Sequence, residues 1–340
     1  MNPFTQLFQV FPIMNYTKQF IVKPDSKVDL GRVDAGFKDK HESHEHALPE
    51  IEATTQKLHD LQYLMYAEGK RSLLICLQGR DAAGKDGTIN HVLGAMNPQG
   101  CNVTGFKVPS KAEAAHDFLW RYHQHTPGKG EVGIFNRSHY EDVLVQRVHD
   151  MVPKAVWSGR YEHINNFEKL LHDNGTHILK FYLHIDAAEE LERFKIRIQD
   201  PARHWKISEG DYAERPFWDA YTEAFEDALD KCSTEHAPWF VIPSNHKWFR
   251  NLAISRIVAE TLESLGMKFP APTVDIDEIK KKYHAIVEQG GTGRRPSSTG
   301  RRRAERVKRA RRARRARRAK NRRKGSSAVN RRYSVSPYPY

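Results

Sequence analysis

Residues Ser72 to Gly87 read SLLICLQGRDAAGKDG and decide the fold of this 340-residue chain. The first six residues are nearly continuously apolar, which is typical of a strand buried on both faces. The residues from Gly79 onward are rich in glycine and alanine, and a helical pattern follows from Thr88. A strand, a glycine loop and a helix in this order bring backbone amides and a helix N-terminus to one anion. The stretch therefore predicts a phosphate-binding loop.

Gly79, Gly84 and Lys85 fit the pattern GxxxxGK, in which loop amides surround phosphate oxygens and the lysine reaches the transferred group. Asp86 stands where such loops have a serine or threonine for Mg²⁺. A carboxylate inside an anion-binding loop would repel phosphate unless a cation lay between them. We therefore expect Asp81 to bind Mg²⁺, or Mn²⁺ in its place. Asp86 has two open interpretations, a second metal carboxylate or a favourable charge in the first turn of a helix.

Short apolar runs alternate with helical patterns along residues 48–267, which predicts an α/β fold with a mainly parallel sheet and helices on both faces. A helix is also expected to begin near Ser110, with Glu113 completing a capping box. Five strands are predicted, at Ser72–Leu77, Cys101–Phe106, Val132–Phe135, His177–Ile185 and Trp239–Ile242.

Charge is distributed unevenly along the chain. The net charge is +13, but residues 292–340 contain 20 Lys and Arg against the single acid Glu305, so residues 1–291 carry −6. The basic character that would suggest nucleic acid thus belongs to an appendage. No apolar run reaches the length of a membrane span, and three scattered cysteines do not make a disulfide framework. We expect a cytoplasmic protein that does not contact membranes.

Four segments are predicted from these patterns. Residues 1–47 are expected to be an extended arm, and residues 48–268 the domain that contains the phosphate-binding loop. Residues 269–291 should form a C-terminal helix, centred on 276–287. Residues 292–340 begin with a Gly/Ser/Pro linker and continue as repeated RRA triplets, a composition typical of disorder.

Several long motifs, in this order along the chain, resemble the family-2 polyphosphate kinases. The motifs are LQGRDAAGKDGTI (77–89), NPQG (97–100), FNRSHYEDVLV (135–145), RIQDPARHWKISEGDYAER (197–215) and STEHAPWFVIP (233–243). The resemblance covers about residues 48–267. It implies a P-loop kinase fold of three α/β/α layers with a five-stranded sheet and a helical lid near residues 193–215. It further implies Mg²⁺-dependent phosphoryl transfer between inorganic polyphosphate and nucleotides, and a homo-oligomer.

The resemblance also implies roles for individual residues. Asn136 departs from the commonest family pattern, which has Asp there, and with Glu141 it resembles the subgroup that phosphorylates both nucleoside monophosphates and diphosphates. These two residues are therefore expected to face the acceptor nucleotide. The catalytic residues are expected to be Asp81, Lys85, Arg137 and Arg197. Those expected to bind phosphate are Gly79, Arg80, Ala82, Ala83, Gly84, Asp86, Gly87, Arg193, Arg203 and Lys206.

A bare polyanion offers only charge and hydrogen-bond acceptors, so its site needs clustered cations. Arg193 and Arg197, four residues apart, would share one helix face, and Lys206 follows on the proposed lid. The tryptophans, by contrast, are expected mainly to pack in the core or the lid rather than to stack on a base.

Two other functions remain open from the sequence. An ATP-dependent nucleotide kinase would need a similar loop and an arginine-rich lid, although the missing Ser or Thr after Lys85 argues against it. Alternatively, the basic tail could bind nucleic acid or other polyanions by releasing counterions, without sequence preference.

Overall fold

The computed structural model describes residues 14–288, so the first residues of the predicted arm and the whole Arg-rich tail lie outside it. The chain divides into two units after Pro270. In its described part, the first unit contains the sheet. Its strands are β1 (Ile21–Val22), β2 (Ser72–Gly79), β3 (Cys101–Gly105), β4 (Val132–Asn136), β5 (Thr176–His184) and β6 (Trp239–Pro243).

Ten helices of the first unit accompany the sheet in the described residues. They are α1 (Tyr16–Phe20), α2 (His44–Glu68), α3 (Lys85–Val92), α4 (Trp120–His123), α5 (Glu141–Val148), α6 (Lys154–Asp173), α7 (Ala187–Gln199), α8 (Glu209–Ala213), α9 (Trp218–Cys232) and α10 (Lys247–Ser264). The second unit is described by one helix, α11 (Ile276–Glu288), where the charged pattern predicts it.

The sheet order is β1-β6-β5-β2-β4-β3, and all pairs are parallel except β1 with β6. The α/β class with a mainly parallel sheet is confirmed, but the sheet has six strands rather than five. The additional strand, β1, is only two residues long, so no alternating pattern marks it in the sequence.

Strand β2 lies in the centre of the sheet and is buried on both faces. Leu73, Ile75 and Leu77 pack in the core cluster that contains residues of α2 and α10. Leu74 and Cys76 point to the opposite face, where they pack with residues of α6. The continuous apolar run thus reflects helices on both faces of the sheet.

The segment before α2 differs from the extended arm predicted for residues 1–47. In its described part, Tyr16 and Phe20 are buried, and both rings lie edge-on to Phe249 of α10. The Tyr16 hydroxyl donates to Asp39 at 2.9 Å. Tyr16 and Phe20 therefore belong to the core of the first unit, because their rings cover α10.

The predicted helix near Ser110 is also different. The capping box forms, since Ser110 N donates to Glu113 and Glu113 N donates to Ser110 Oγ. The backbone continues only as a 3₁₀ turn, Glu113–Ala115. Asp117 accepts from the amides of Leu119 and Trp120 and thereby caps the start of α4. The turn at Glu113–Ala115 therefore does not continue as a helix.

Candidate functional site

The carboxyl ends of the parallel strands place four loops at one edge of the sheet. β2 ends at Gly79, directly opposite Leu183 of β5, and Leu77 lies opposite Asn136, the last residue of β4. Ligands of open α/β sheets bind outside this edge. The glycine loop, which we define as Gly79–Gly87, lies in the centre of it.

The glycine loop has the geometry of an anion site. Gly84 (φ 107°) precedes α3 and leaves the helix N-terminus without a side-chain cap. Ala82 also has a positive φ, 57°, which costs a non-glycine residue of the order of 1 kcal/mol. Such a strained turn persists where the surroundings hold it, and is common at sites that grip a ligand.

Lys85 lies under the loop. Its Nζ donates to the carbonyl oxygens of Gly79, at 2.6 Å, and Arg80, at 3.2 Å. Burial lowers the pKa of this ammonium to about 8, assisted by the nearby Arg137 and opposed by Asp81. The two carbonyl groups therefore fix the position of the Lys85 ammonium. Because burial has removed part of the water around its charge, a bound anion would stabilise the ammonium.

Arg137 connects the glycine loop with α5. It has a positive φ of 64° directly after β4, and its guanidinium donates to Asp81 Oδ1 at 3.2 Å and to Glu141 Oε2 at 3.4 Å. The adjacent Asn136 donates through Nδ2 to Asp86 Oδ1 at 2.9 Å. Asn136 and Arg137 of the motif FNRSHYEDVLV thus orient both carboxylates of the loop.

A buried ionic network holds the two residues His139 and Tyr140, which follow Arg137 closely along the chain. Glu168 of α6 accepts from Lys180 Nζ at 2.6 Å and from the Tyr140 hydroxyl at 3.0 Å, and lies 3.0 Å from His139 Nε2. The lysine, glutamate and histidine side chains are completely inaccessible to solvent. Because a buried charge is tolerated only when it is paired, this network fixes the turn that follows Arg137.

Two cavities meet at the glycine loop. The first, which we call the loop cavity, is lined by Gly84, Lys85, Asn136, Arg197, Trp205 and Lys206, among others. The second, the Trp218 cavity, is lined by Gly79, Arg80, Glu141, Glu190, Trp218 and Tyr221, among others. Three residues, Asp81, Arg137 and Asp211, line both cavities.

The structure brings together all four residues predicted to be catalytic. Lys85 and Arg197 line the loop cavity, and Asp81 and Arg137 lie where the cavities meet. Arg197 donates to Asp211 Oδ2 at 3.0 Å. The two predicted acceptor residues are separated, since Glu141 lines the Trp218 cavity and Asn136 the loop cavity.

Of the ten predicted phosphate-binding residues, five line the loop cavity: Ala82, Gly84, Asp86, Gly87 and Lys206. Gly79 and Arg80 line the Trp218 cavity. The Arg80 guanidinium covers the Trp218 ring, 3.6 Å from its centroid, and donates to the Trp218 carbonyl. Its side chain is thus turned away from the loop cavity.

Arg193 does not act as predicted in this structure. Its side chain is buried, and all five N–H donors are occupied: Nε by Glu189, and the others by the carbonyl oxygens of Ala82, Ala83, Ser244 and Asn245. It therefore braces the glycine loop from behind and has no donor left for phosphate.

The other two predicted phosphate-binding residues line neither cavity. Arg203 is about half exposed and pairs with Asp200 at 2.8 Å. Ala83 contributes its carbonyl oxygen to the arginines behind the loop, and its side chain is buried.

Sequence reasoning missed several residues of the Trp218 cavity. Trp218 was expected to pack in the core or the lid. Glu190 and Tyr221 carried no signal, and Asp211 lay in the motif of residues 197–215 with no role assigned to it. The three residues lie on separate helices, and no motif of known spacing joins them. Burial raises the pKa of Glu190, which pairs with Arg215, and also that of Asp211. Perturbed carboxyl groups of this kind in a cavity are frequent at functional sites.

The comparisons with known proteins agree with this geometry. The model of the polyphosphate kinase 2 family matches residues 40–270. The chain belongs to the polyphosphate kinase 2 family. It is 47% identical over 263 residues to the AMP/ADP-polyphosphate phosphotransferase of Meiothermus ruber, covering 77% of this chain and 98% of the relative.

Two further relatives of this kinase are similar over most of their length. The ADP-polyphosphate phosphotransferase of Rhodopseudomonas palustris is 44% identical, covering 76% of this chain and 93% of the relative. The crystal structure of polyphosphate kinase 2 from Arthrobacter aurescens TC1 superimposes with a TM-score of 0.74 at 39% identity, covering 78% of this chain and 95% of that one. The predicted family membership is therefore confirmed.

Proposed function

We propose that this kinase transfers phosphoryl groups between inorganic polyphosphate and nucleotides, with both AMP and ADP as acceptors. One observation carries the proposal: Asp81, Arg137 and Asp211 line both the loop cavity and the Trp218 cavity. A group-transfer site needs two compartments with a shared wall, because donor and acceptor must approach the transferred phosphoryl from opposite sides.

The loop cavity suits the polyphosphate. It contains the N-terminal end of α3 and three cations, Lys85, Arg197 and Lys206. The Nζ of Lys206 lies 3.8 Å from Asp86. A polyanion without base or sugar is recognised through such charge-assisted contacts alone. The segment around Trp205 and Lys206 would act as a lid that excludes water, the competing acceptor.

The Trp218 cavity suits the nucleotide. It combines an indole ring, apolar side chains such as Leu144, and the carboxylates of Glu141 and Glu190. An apolar cavity with a few placed polar groups is typical of small-molecule sites. The printed name of the Meiothermus relative, an AMP/ADP-polyphosphate phosphotransferase, supports use of both acceptors.

The donor set of the site fits Mg²⁺. Among residues 14–288, no three His, Cys, Asp or Glu side chains converge as a complete metal cage. Magnesium in kinase sites needs none, because it is held by one or two carboxylates together with substrate phosphates and water. Asp81 would supply this carboxylate, and Mn²⁺ would substitute. When bound, the ion would neutralise charge on the transferred group.

The residues of the chain have separable parts in the transfer. Lys85 and Arg197 would bind the oxygens of the terminal phosphoryl group. Arg137, which lines both cavities, would contact that group throughout the transfer. Glu141 fixes Arg137 and would face the acceptor. Positioning and charge neutralisation of this kind provide most of the rate enhancement in phosphoryl transfer.

A matrix of donors and acceptors tests the proposal. AMP and ADP are each incubated with Mg²⁺ and either long-chain polyphosphate or ATP, and products are separated chromatographically. We expect ADP and ATP to form with polyphosphate as donor, and EDTA to abolish both products. Phosphorylation of AMP by ATP alone, with no product from polyphosphate, would instead identify an ATP-dependent nucleotide kinase.

The basic tail supports a separate proposal about partners. Its 20 Lys and Arg within residues 292–340 would bind polyphosphate or nucleic acid and make that binding sensitive to salt. Affinities for polyphosphate, RNA and DNA are compared at two salt concentrations for the full chain and for a chain ending at residue 291. Unchanged binding of all three polyanions would exclude this role.

Two further expectations concern the protein in solution. Assembly as a homo-oligomer is checked by light scattering of the purified chain, and a single-chain mass would refute it. No helix among the described residues is long and apolar enough to cross a bilayer. The cytoplasmic location remains a prediction.

A further inference from the structure

Arg250 is a buried arginine that neither the motifs nor the two cavities include. It lies in the first turn of α10, between Phe249 and Asn251, and is 2% exposed. No carboxylate lies within ion-pair distance of it in the described part of the chain. Its Nη1 donates to the Ala83 carbonyl at 3.1 Å, and Nε and Nη2 donate to Asn251 Oδ1.

Two glycines of the glycine loop make room for this guanidinium. A Cβ atom at Gly84 would overlap Arg250 Nη1, and one at Gly87 would lie 3.1 Å from Nη2. Gly87 has no positive φ, so its backbone does not require glycine. A side chain at position 87 would therefore press on the Arg250 guanidinium, which would have to move by a few tenths of an ångström.

Two guanidinium groups converge on one peptide group. Arg193 Nη1 donates to the same Ala83 carbonyl at 3.0 Å, and only Arg193 has an acidic partner, Glu189. Burial and the neighbouring Arg193 lower the pKa of Arg250 to about 9, although an arginine stays protonated at neutral pH. An unpaired buried charge is costly, so its retention calls for a compensating anion.

The peptide group between Ala83 and Gly84 lies between the Arg250 guanidinium and the loop cavity. In a trans peptide the carbonyl and the N–H point in opposite directions. Since the Ala83 carbonyl is held by the two arginines, the Gly84 N–H points away from them. Gly84 lines the loop cavity, and no described residue accepts from its N–H.

We propose that Arg250 is a positioning residue for polyphosphate, which fixes the Gly84 N–H toward the donor and supplies a buried positive charge that the bound polyanion neutralises. This inference rests on the proposed function. It predicts a selective effect, because the Trp218 cavity does not include Arg250, Gly84 or Gly87.

The test is Arg250→Met in the full chain, with Arg256→Met as the matched control. Arg256 lies on the same helix, is also largely buried and pairs with Glu50 at 2.8 Å, but it does not contact the glycine loop. We expect Arg250→Met to raise the KM for polyphosphate at least tenfold and to leave the KM for ADP within twofold. Polyphosphate should also lose most of its ability to raise the Tm. Arg256→Met should lower the Tm without changing either KM.

Three results would overturn the inference. The first is a folded Arg250→Met protein with a polyphosphate KM within threefold of the parent. The second is a parallel rise of both KM values, which would indicate a merely structural role. If Arg250→Met does not fold, Arg250→Gln removes the charge but keeps an amide donor, and an unchanged polyphosphate KM there is the third. A parent enzyme that never uses polyphosphate would refute the proposed function itself.

Discussion

The two sides of the glycine loop use arginine in opposite ways. Arg193 and Arg197 lie one turn apart on α7, yet Arg193 is buried behind the loop with every donor occupied by protein. Arg197 faces the loop cavity with one carboxylate partner, Asp211. The comparison shows that the spacing of cations does not reveal their role. Some bind the ligand, and others shape the backbone that binds it.

The largest expected effect is at Lys85. Lys85→Ala removes the half-buried ammonium that lines the loop cavity. We expect kcat/KM with polyphosphate and ADP to fall about 10³-fold, which is roughly 4 kcal/mol of transition-state stabilisation. Steady-state kinetics measure the loss. A decrease of less than tenfold would show that the ligand-facing side of the loop is misassigned.

The two arginines of α7 give the sharpest test of the comparison. Arg193→Met leaves Glu189 and four carbonyl groups without their partner, so we expect about 3–5 kcal/mol loss in the free energy of unfolding. Arg197→Met should cost less, about 1–2 kcal/mol, because the Asp211 carboxylate that it leaves unpaired lines both cavities, but it should lower kcat about 10²-fold. Urea unfolding and kinetics on both variants measure these quantities. Equal decreases in the free energy of unfolding for the two variants would contradict the different roles assigned to Arg193 and Arg197.

The pKa of Lys85 predicts a pH dependence. Because burial lowers this pKa to about 8, the ligand-free enzyme loses the positive charge as pH rises through 8. We expect kcat/KM for polyphosphate, which reports the free enzyme, to fall above that pH. An unfolded lysine titrates near about 10.4, so this group makes stability rise between about pH 8 and 10.

The control for this pH dependence is Lys85→Arg, whose guanidinium stays charged, and which should therefore lack the alkaline decrease. A parent profile that remains flat to about one pH unit above 8 would contradict the buried environment of Lys85.

The smallest expected effect separates two cations of the proposed lid. Lys206 lines the loop cavity, whereas the half-exposed Arg203 pairs with Asp200 outside it. Lys206→Ala should raise the KM for polyphosphate about three- to tenfold, or roughly 1 kcal/mol, and reduce its salt dependence. Arg203→Ala should stay within twofold. The opposite order would place the polyphosphate on the outer face of the lid.

The sequence predicted features that depend on neighbours along the chain. The apolar run of β2, the glycine loop and the start of α3 are contiguous, so strand, turn and helix patterns identify them together. The capping box at Ser110 shows the limit of such patterns. Its hydrogen bonds form, but Asp117 ends the helix after one turn.

Features that depend on distant partners escaped prediction. Arg193 and Arg250 contact Ala83 across 110 and 167 residues of chain. The Trp218 cavity is assembled from α5, α7, α8 and α9, together with the glycine loop, Arg137 and the segment between α8 and α9. Local periodicity carries no information about which helices converge, so only the folded chain reveals whether an arginine faces ligand or backbone.

Asp81 tests the central claim most directly, because it lies where the two cavities meet. Asp81→Asn keeps the shape of the side chain but removes its charge. In single-turnover experiments with Mg²⁺, polyphosphate and ADP, we expect the transfer rate to fall at least about 10²-fold, while the Kd of ADP stays within threefold. A variant that transfers within tenfold of the parent rate would contradict the claim that phosphoryl groups pass between the cavities at this residue.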